Sequence, residues 1–439
     1  MKVLLKNARL VDPVAGRNGH FDLLVVDGRI ARIDKNVPAD GAHVVEVPAA
    51  FVVCPGLIDM HVHLREPGQE HKETIATGAA AAIAGGFTAV ACMPNTSPIN
   101  DQAAVTRLIL ERAAAAGQAR VYPIGAVSVG SLGEQLTEIG DLRAAGCVGL
   151  SDDGRPVATA LLMRRALEYA SMFGMPIIDH CEDPSLKGDG VAHEGPVAGL
   201  LGLRGIPSVA ESVMVERNAA LAELTHGHVH IAHMSALESL RAVRTGKERG
   251  AKITCEVTPH HFTMTDEALE RHGGYDTNLK MNPPLRGRSD RDAMLEGLRD
   301  GSIDAIATDH APHHADEKAL EFDRAPFGIV GLETAVSLCL DRLLGAGLVG
   351  WPRLVELLSA NPARLLGVPG GTLALGAPAD ITILAPDIEV TVRATDLRSK
   401  SKNTPFDGWS LKGAVAATLV DGQALFVRPG SGLSFEGRG

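Results

Sequence analysis

Residues 59–68 read DMHVHLREPG, and His61 and His63 are the first residues whose spacing alone could do chemistry. In an extended strand, side chains two positions apart share a face, so both imidazoles would present to one point. That is a metal-ligand geometry, although an isolated pair of this kind is more often incidental. The balance shifts because polar residues recur where other apolar runs stop: Asn95, Asp153, His180, His233 and Asp309. Histidine together with carboxylate is the donor set that zinc accepts. Arg65 follows the pair directly. A guanidinium beside metals suits a substrate carboxylate, which it holds by a paired, charge-assisted hydrogen bond. The plainer alternative is an ion pair with Glu66 or Glu70.

Such residues meet only if the elements carrying them end at one place. Eight short apolar runs start at residues 57, 87, 120, 146, 175, 228, 251 and 303, separated by Ala/Leu/Glu/Arg-rich stretches of helical character. Strand and helix alternating eight times predicts an α/β fold, a closed parallel (β/α)8 TIM barrel whose strand ends converge on one mouth. The chain ends are different. KVLLKNARLVD with FDLLVVDGRIARID, and ADITILAPDIEVTV with AVAATLVDGQALFV, alternate apolar and polar residues around Asp-Gly turns. Neither piece can bury a core alone. The expectation is a small β-sandwich formed by residues 1–54 and 365–439, with the barrel of residues 55–364 inserted between them.

Composition narrows the function. Hydrophobic residues make up 45% of the chain and charged residues 22%, with no run near the ~20 apolar residues of a membrane span. The opening MKVLLKNARLVDP reads as a strand rather than a signal peptide, which places the chain in the cytoplasm. A formal net charge of -11 with no dense basic cluster argues against nucleic acid. The six cysteines include no CxxC pair and read as reduced core thiols. Cys181, directly after His180, is expected to turn away from the metals, because adjacent strand residues face opposite ways. His193, His226, His228, His230, His260, His261, His310 and His314 are expected at supporting or surface positions.

The segments HVHLREPG, MPNTSP, SDDG, DHCED, AHMS, NPPLR and TDHAPH occur in this order across nearly the whole barrel. They resemble the amidohydrolase superfamily, specifically class I dihydroorotase. The resemblance implies a two-zinc centre held by His61, His63, Asp153, His180, His233 and Asp309, with Asp153 bridging and Asp309 as the catalytic acid/base. It also implies a substrate pocket of His63, Arg65, Asn95, Asn282, His313, Phe327 and Gly328. The reaction would interconvert N-carbamoyl-L-aspartate and L-dihydroorotate in pyrimidine biosynthesis. The partners would be a second copy of the chain in a dimer, and aspartate transcarbamoylase. Hydantoinases and allantoinases, the catalytic alternative, usually bridge their metals with a carboxylated lysine at the fourth strand. Here no lysine lies between Lys72 and Lys187, so Asp153 is the available bridge and Asp152 its competitor. An inactive scaffold for aspartate transcarbamoylase would have no need of all six ligands.

Overall fold

The computed structural model describes residues 2–271 and 273–435. Eight strands form the central sheet: β1 (Leu57–Val62), β2 (Phe87–Cys92), β3 (Arg120–Gly125), β4 (Gly149–Leu150), β5 (Ile177–Asp179), β6 (Val229–Ile231), β7 (Ile253–Val257) and β8 (Ala305–Ile306). Each pairs in parallel with the next in chain order. The ring closes just beyond β8, where Val62 bridges His310 and the His63 N–H donates to the His310 carbonyl at 2.8 Å. This is the TIM barrel that the alternation predicts.

Each strand faces two ways. Leu57, Val90, Ile177, Val229, Ile231, Ile253, Cys255 and Val257 pack outward against the helices. Inward lie mostly small residues, Ala89, Ala91, Ala232, Ala305 and Ala307, with Ile58, Met60, Ile124 and Ile178 filling the space between. Ala363, Leu365 and Leu366, in or beside the helix Asn361–Leu366, join this inner cluster. The barrel is therefore a packed core, and open space is confined to the mouth.

The strands β4 and β8 are each two residues long, shorter than the apolar runs that carry them. Backbone at the mouth leaves the ladder early. His233 and Asp309 sit at φ 31° and 48°, in the left-handed region, and Arg65 at φ 62°. For residues other than glycine this conformation is uncommon and concentrates at functional sites. It also breaks the alternation by which a strand aims its side chains.

The two chain ends build one continuous hydrogen-bonded sheet, in the order Gln423–Val427, Ser410–Val420, Ile381–Thr391, Val52–Pro55, Lys2–Asp12, Arg17–Val26 and Arg29–Asp34, with His43–Glu46 also on Lys2–Asp12. The join is Val52–Pro55, antiparallel to Ile381–Thr391. Leu5, Leu10, Leu23, Val25, Val53, Ile381, Ile383 and Leu419 form its core. One residue separates Pro55 from β1, so this sheet fixes where the first barrel strand starts.

A charged latch ties the two units. Arg120, at the start of β3, donates from Nε to Asp380 at 2.8 Å and from Nη2 to Asp380 at 3.2 Å and Asp421 at 2.7 Å. Asp380 is buried, so removing Arg120 leaves its carboxylate with the Asp421 N–H but without a neutralising cation. The arginine is about one-third exposed, which screens part of the effect. Arg120→Ala should lower stability by about 1–2 kcal/mol, read as an earlier denaturant midpoint, with metal uptake unchanged because the latch sits at the opposite end of β3 from the mouth. An unmoved midpoint would show the latch to be energetically idle.

Candidate metal centre and substrate pocket

The mouth brings together all six residues expected as ligands. The ends of β1, β5 and β6 and the turns after β4 and β8 carry them, and each is less than a tenth exposed. Asp153 occupies the middle. Its Oδ1 lies 3.4 Å from His61 Nε2, 3.5 Å from His233 Nε2 and 3.8 Å from His180 Nδ1. Its Oδ2 lies 3.5 Å from His63 Nε2. Asp309 Oδ1 is 3.1 Å from His63 Nε2 and 3.7 Å from His61 Nε2. Two overlapping sets, His61 with Asp153 and His233, and His61 with His63 and Asp309, each offer donor atoms within 4.8 Å of one another.

The donor atoms fit a cation. His61 Nε2 and Asp153 Oδ1 are buried and lack any hydrogen-bond partner, although they face each other. A buried polar atom left unpaired costs about 1–3 kcal/mol. The two oxygens of Asp153 point to different histidines, Oδ1 to His61 and Oδ2 to His63.

Electrostatics point the same way. Burial alone would raise the Asp153 carboxyl, but His61 and His233 hold it well below the ordinary range. Burial likewise works against His61, yet Asp153 and Glu256 push its proton affinity well above that of a free imidazole. His63 moves the other way, lowered by burial with help from the Arg65 charge. Burial opposes it again at Asp309, which His63 holds below the usual carboxylate range.

Hydrogen bonds distinguish Asp152 from Asp153. Asp152 accepts from the Val127 and Ser128 N–H groups at 2.9 and 3.0 Å and from Ser128 Oγ at 2.5 Å, so it pins the loop after β3 and faces away from the histidines. Cys181 is also turned away: its Sγ lies 3.4 Å from Asp179 Oδ2 and 3.3 Å from Asn218 Nδ2. Burial pushes this thiol well above the ordinary range, so the geometry makes it a packing residue.

A cavity of about 200 Å³ opens over these groups, lined by Arg65, Asn95, Lys187, Asn282, His313, Phe327 and Gly328 together with five of the six expected ligands. Arg65 is buried, and burial lowers its guanidinium to about 10, still a full cation at neutral pH. Neither neighbouring carboxylate takes it: Glu66 accepts from the Ile75 N–H and Glu70 from the Gly68 N–H. Its Nε donates to the Pro312 carbonyl at 3.1 Å, which fixes the fork at the cavity wall. Asn282 presents Oδ1 without a partner, while its Nδ2 donates to Glu182 at 3.1 Å. Burial, then Arg65, lowers His313 to about 2; the neutral ring donates from Nε2 to the Phe327 carbonyl at 2.8 Å. Gly328 has φ 128°, and a Cβ there would stand 2.7 Å from the Ala311 Cβ, so only glycine fits. Asn95, which lines the cavity, also contacts the donor cluster. Its Oδ1 accepts from His63 Nδ1 at 2.9 Å, and its amide reaches Asp153.

Three contributors were not legible in the sequence. Glu256, read as part of an apolar strand, accepts from His61 Nδ1 at 2.8 Å and from His230 Nε2 at 3.2 Å. Burial would raise it, but these two bonds hold it at about 2. Glu182 lies 3.5 Å from His180 Nε2, and Lys187 lies 3.0 Å from Glu182 and over the Phe327 ring. The available signal was a glutamate at an inward position of the otherwise apolar run ITCEV.

Comparison with known proteins agrees with this geometry. Residues 50–239 match the family model described as Dihydro-orotase-like. Named dihydroorotases of Pelotomaculum thermopropionicum and Anaeromyxobacter dehalogenans are 54% and 55% identical to this chain, the first over 97% of it and 98% of its own length, the second over 96% and 97%. Among solved structures, L-hydantoinase (dihydropyrimidinase) from Arthrobacter aurescens superposes with a TM-score of 0.85 at 25% identity, over 96% of this chain and 95% of that one. A full-length match at more than half of all positions, on a barrel whose mouth gathers four histidines and two aspartates, places this chain in the dihydroorotase family.

Proposed function

We propose that this chain is a dihydroorotase, a metal-dependent cyclic amidohydrolase that interconverts L-dihydroorotate and N-carbamoyl-L-aspartate in pyrimidine biosynthesis. The observation that carries the reading is the buried cation Arg65 on the wall of the cavity that five of the six donor residues floor. It pairs a site for a non-reacting carboxylate with a site for amide hydrolysis. Hydantoin-type rings lack that carboxylate, and at the fourth strand Asp153 stands where their enzymes usually carry a modified lysine.

His61, His63, Asp153, His180, His233 and Asp309 would hold two divalent ions, zinc in this reading. When bound, such a pair lowers the pKa of a nearby water toward neutrality and polarises the amide carbonyl. The chain's own groups do the rest. Arg65 holds the substrate carboxylate through its fork, and Asn282 Oδ1 is placed to accept from a ring N–H. Phe327 and Gly328 close the cavity with backbone that Lys318 fixes, its Nζ donating to the Pro326 and Gly328 carbonyls at 3.0 Å each. Asp309, kept ionised, takes a proton from the attacking water and delivers it to the leaving ring nitrogen. In ring closure the same carboxylate acts first as base toward that nitrogen, as microscopic reversibility requires. The family resemblance extends the reading to a homodimer in the cytoplasm that associates with aspartate transcarbamoylase.

Asp309→Asn should keep much of the bound metal yet lose kcat by two or more orders of magnitude, because an amide cannot shuttle the proton. An unimpaired variant would remove Asp309 from the reaction. Arg65→Lys should raise KM for dihydroorotate with a smaller change in kcat, since a point charge cannot copy the paired fork; an unchanged KM would contradict the anchor. Because Asp153 and Glu256 raise the proton affinity of His61 in the metal-free chain, zinc uptake competes with that proton. Calorimetry in buffers of different ionisation enthalpy should then report proton release and weaker uptake as pH falls. A buffer-independent heat would contradict the assignment of His61 as a ligand.

A further inference from the structure

A chain of hydrogen-bonded side chains runs down the inside of the barrel from His61, and the reaction just described does not use it. His61 Nδ1 meets Glu256 Oε1 at 2.8 Å, and Glu256 Oε2 meets His230 Nε2 at 3.2 Å. His230 Nδ1 lies 2.8 Å from Thr254 Oγ1, which lies 2.8 Å from His228 Nε2. His61, His230 and Glu256 are fully buried, and Thr254 and His228 are half-buried. The placement follows from strand geometry. His228 with His230, and Thr254 with Glu256, are spaced by two on neighbouring strands whose register sets His230 beside Thr254, so all four face inward.

With Glu256 ionised and the imidazoles neutral, the state in which His61 has given up its extra proton to a metal, only one arrangement of protons satisfies every bond. A carboxylate can only accept, so His61 and His230 each carry their proton on the nitrogen facing Glu256. His230 Nδ1 is then bare and must accept, and the Thr254 hydroxyl is the donor beside it. That hydroxyl in turn accepts from His228 Nε2–H. The result at the far end is a bare His61 Nε2, which is the buried atom without a hydrogen-bond partner that faces Asp153 and Asp309.

We infer that His230 and Thr254 are positioning residues for the metal centre, which act through Glu256 to fix the tautomer and ring orientation of His61 so that Nε2 is offered to a divalent ion. The inference rests on the metal centre proposed above. Thr254 is the sensitive link. Without its hydroxyl, His230 Nδ1 is left a buried acceptor with no donor, so the ring is free to turn and Glu256 loses one of the donors that hold it toward His61. Supporting carboxylate and histidine partners of this kind typically alter metal affinity ten- to a hundredfold.

The test measures zinc dissociation constants by competition with a chromophoric chelator, using the full chain and two variants. Thr254→Val should weaken zinc binding about tenfold, and Thr254→Ser, which restores the hydroxyl, should stay within about twofold of the parent. A valine variant that binds zinc as tightly as the parent overturns the inference. A second measurement needs no variant: ¹⁵N shifts of the histidine rings in the zinc-loaded parent. They should show His230 protonated at Nε2 alone and His61 at Nδ1; a proton on His230 Nδ1, or on both its nitrogens, overturns the inference. A parent chain that binds no zinc overturns the metal centre and this inference with it, whereas failure of the hydrogen-bonded chain alone leaves zinc binding by the parent intact.

Discussion

The structure depends on keeping mutually repelling carboxylates out of water at one end of a packed barrel. Asp153, Asp309 and Glu256 are each less than a tenth exposed and within 4 Å of the same histidine, His61. Removing an isolated carboxylate from water costs far more than a hydrogen bond returns. The surrounding imidazoles offset part of that cost, which is why the carboxyls are held low and His61 is driven high. A divalent cation in the gap would offset more. It would also satisfy His61 Nε2 and Asp153 Oδ1, which the protein leaves unpaired.

Much of the surrounding architecture follows from that demand. Ligands from five strand ends can converge only if the strands close on themselves, and the closure at Val62 and His310 lies beside the ligand His63. The interior below is packed with alanines and larger aliphatics around the hydrogen-bonded chain that runs from His61 to His228. The sheet made from the chain ends contributes as well. Asn403, after its strand Ile381–Thr391, accepts from the His313 N–H and donates to the Ala311 and Gly328 carbonyls at 3.1 Å. One side chain from the far end of the sequence thus holds two loops of the pocket together.

The barrel was legible because alternating strand and helix signals report packing that repeats eight times. The histidine pair was legible because a period of two belongs to every strand. Asp152 and Asp153 could not be separated by such reasoning, since the turn after β4 has left the strand and only the Ser128 and Val127 donors decide which carboxylate turns inward. Glu256 escaped for the opposite reason. It obeys the strand period, but a single charge within ITCEV looks like an interruption of a core until its two imidazole partners, 195 and 26 residues away in sequence, are in place. Asn95 was placed at the pocket by its position at a strand end, but its bond to His63 depends on how neighbouring strands are staggered.

The central claim is that this buried cluster is a metal centre and that ring hydrolysis depends on it. The most direct measurement strips the purified chain of metal with a chelator, then adds zinc in steps while following dihydroorotate hydrolysis. The account predicts no turnover in the stripped chain and a rate that rises to a plateau at two zinc ions per chain. Full activity in chelator-stripped protein that elemental analysis shows to be free of metal would contradict it.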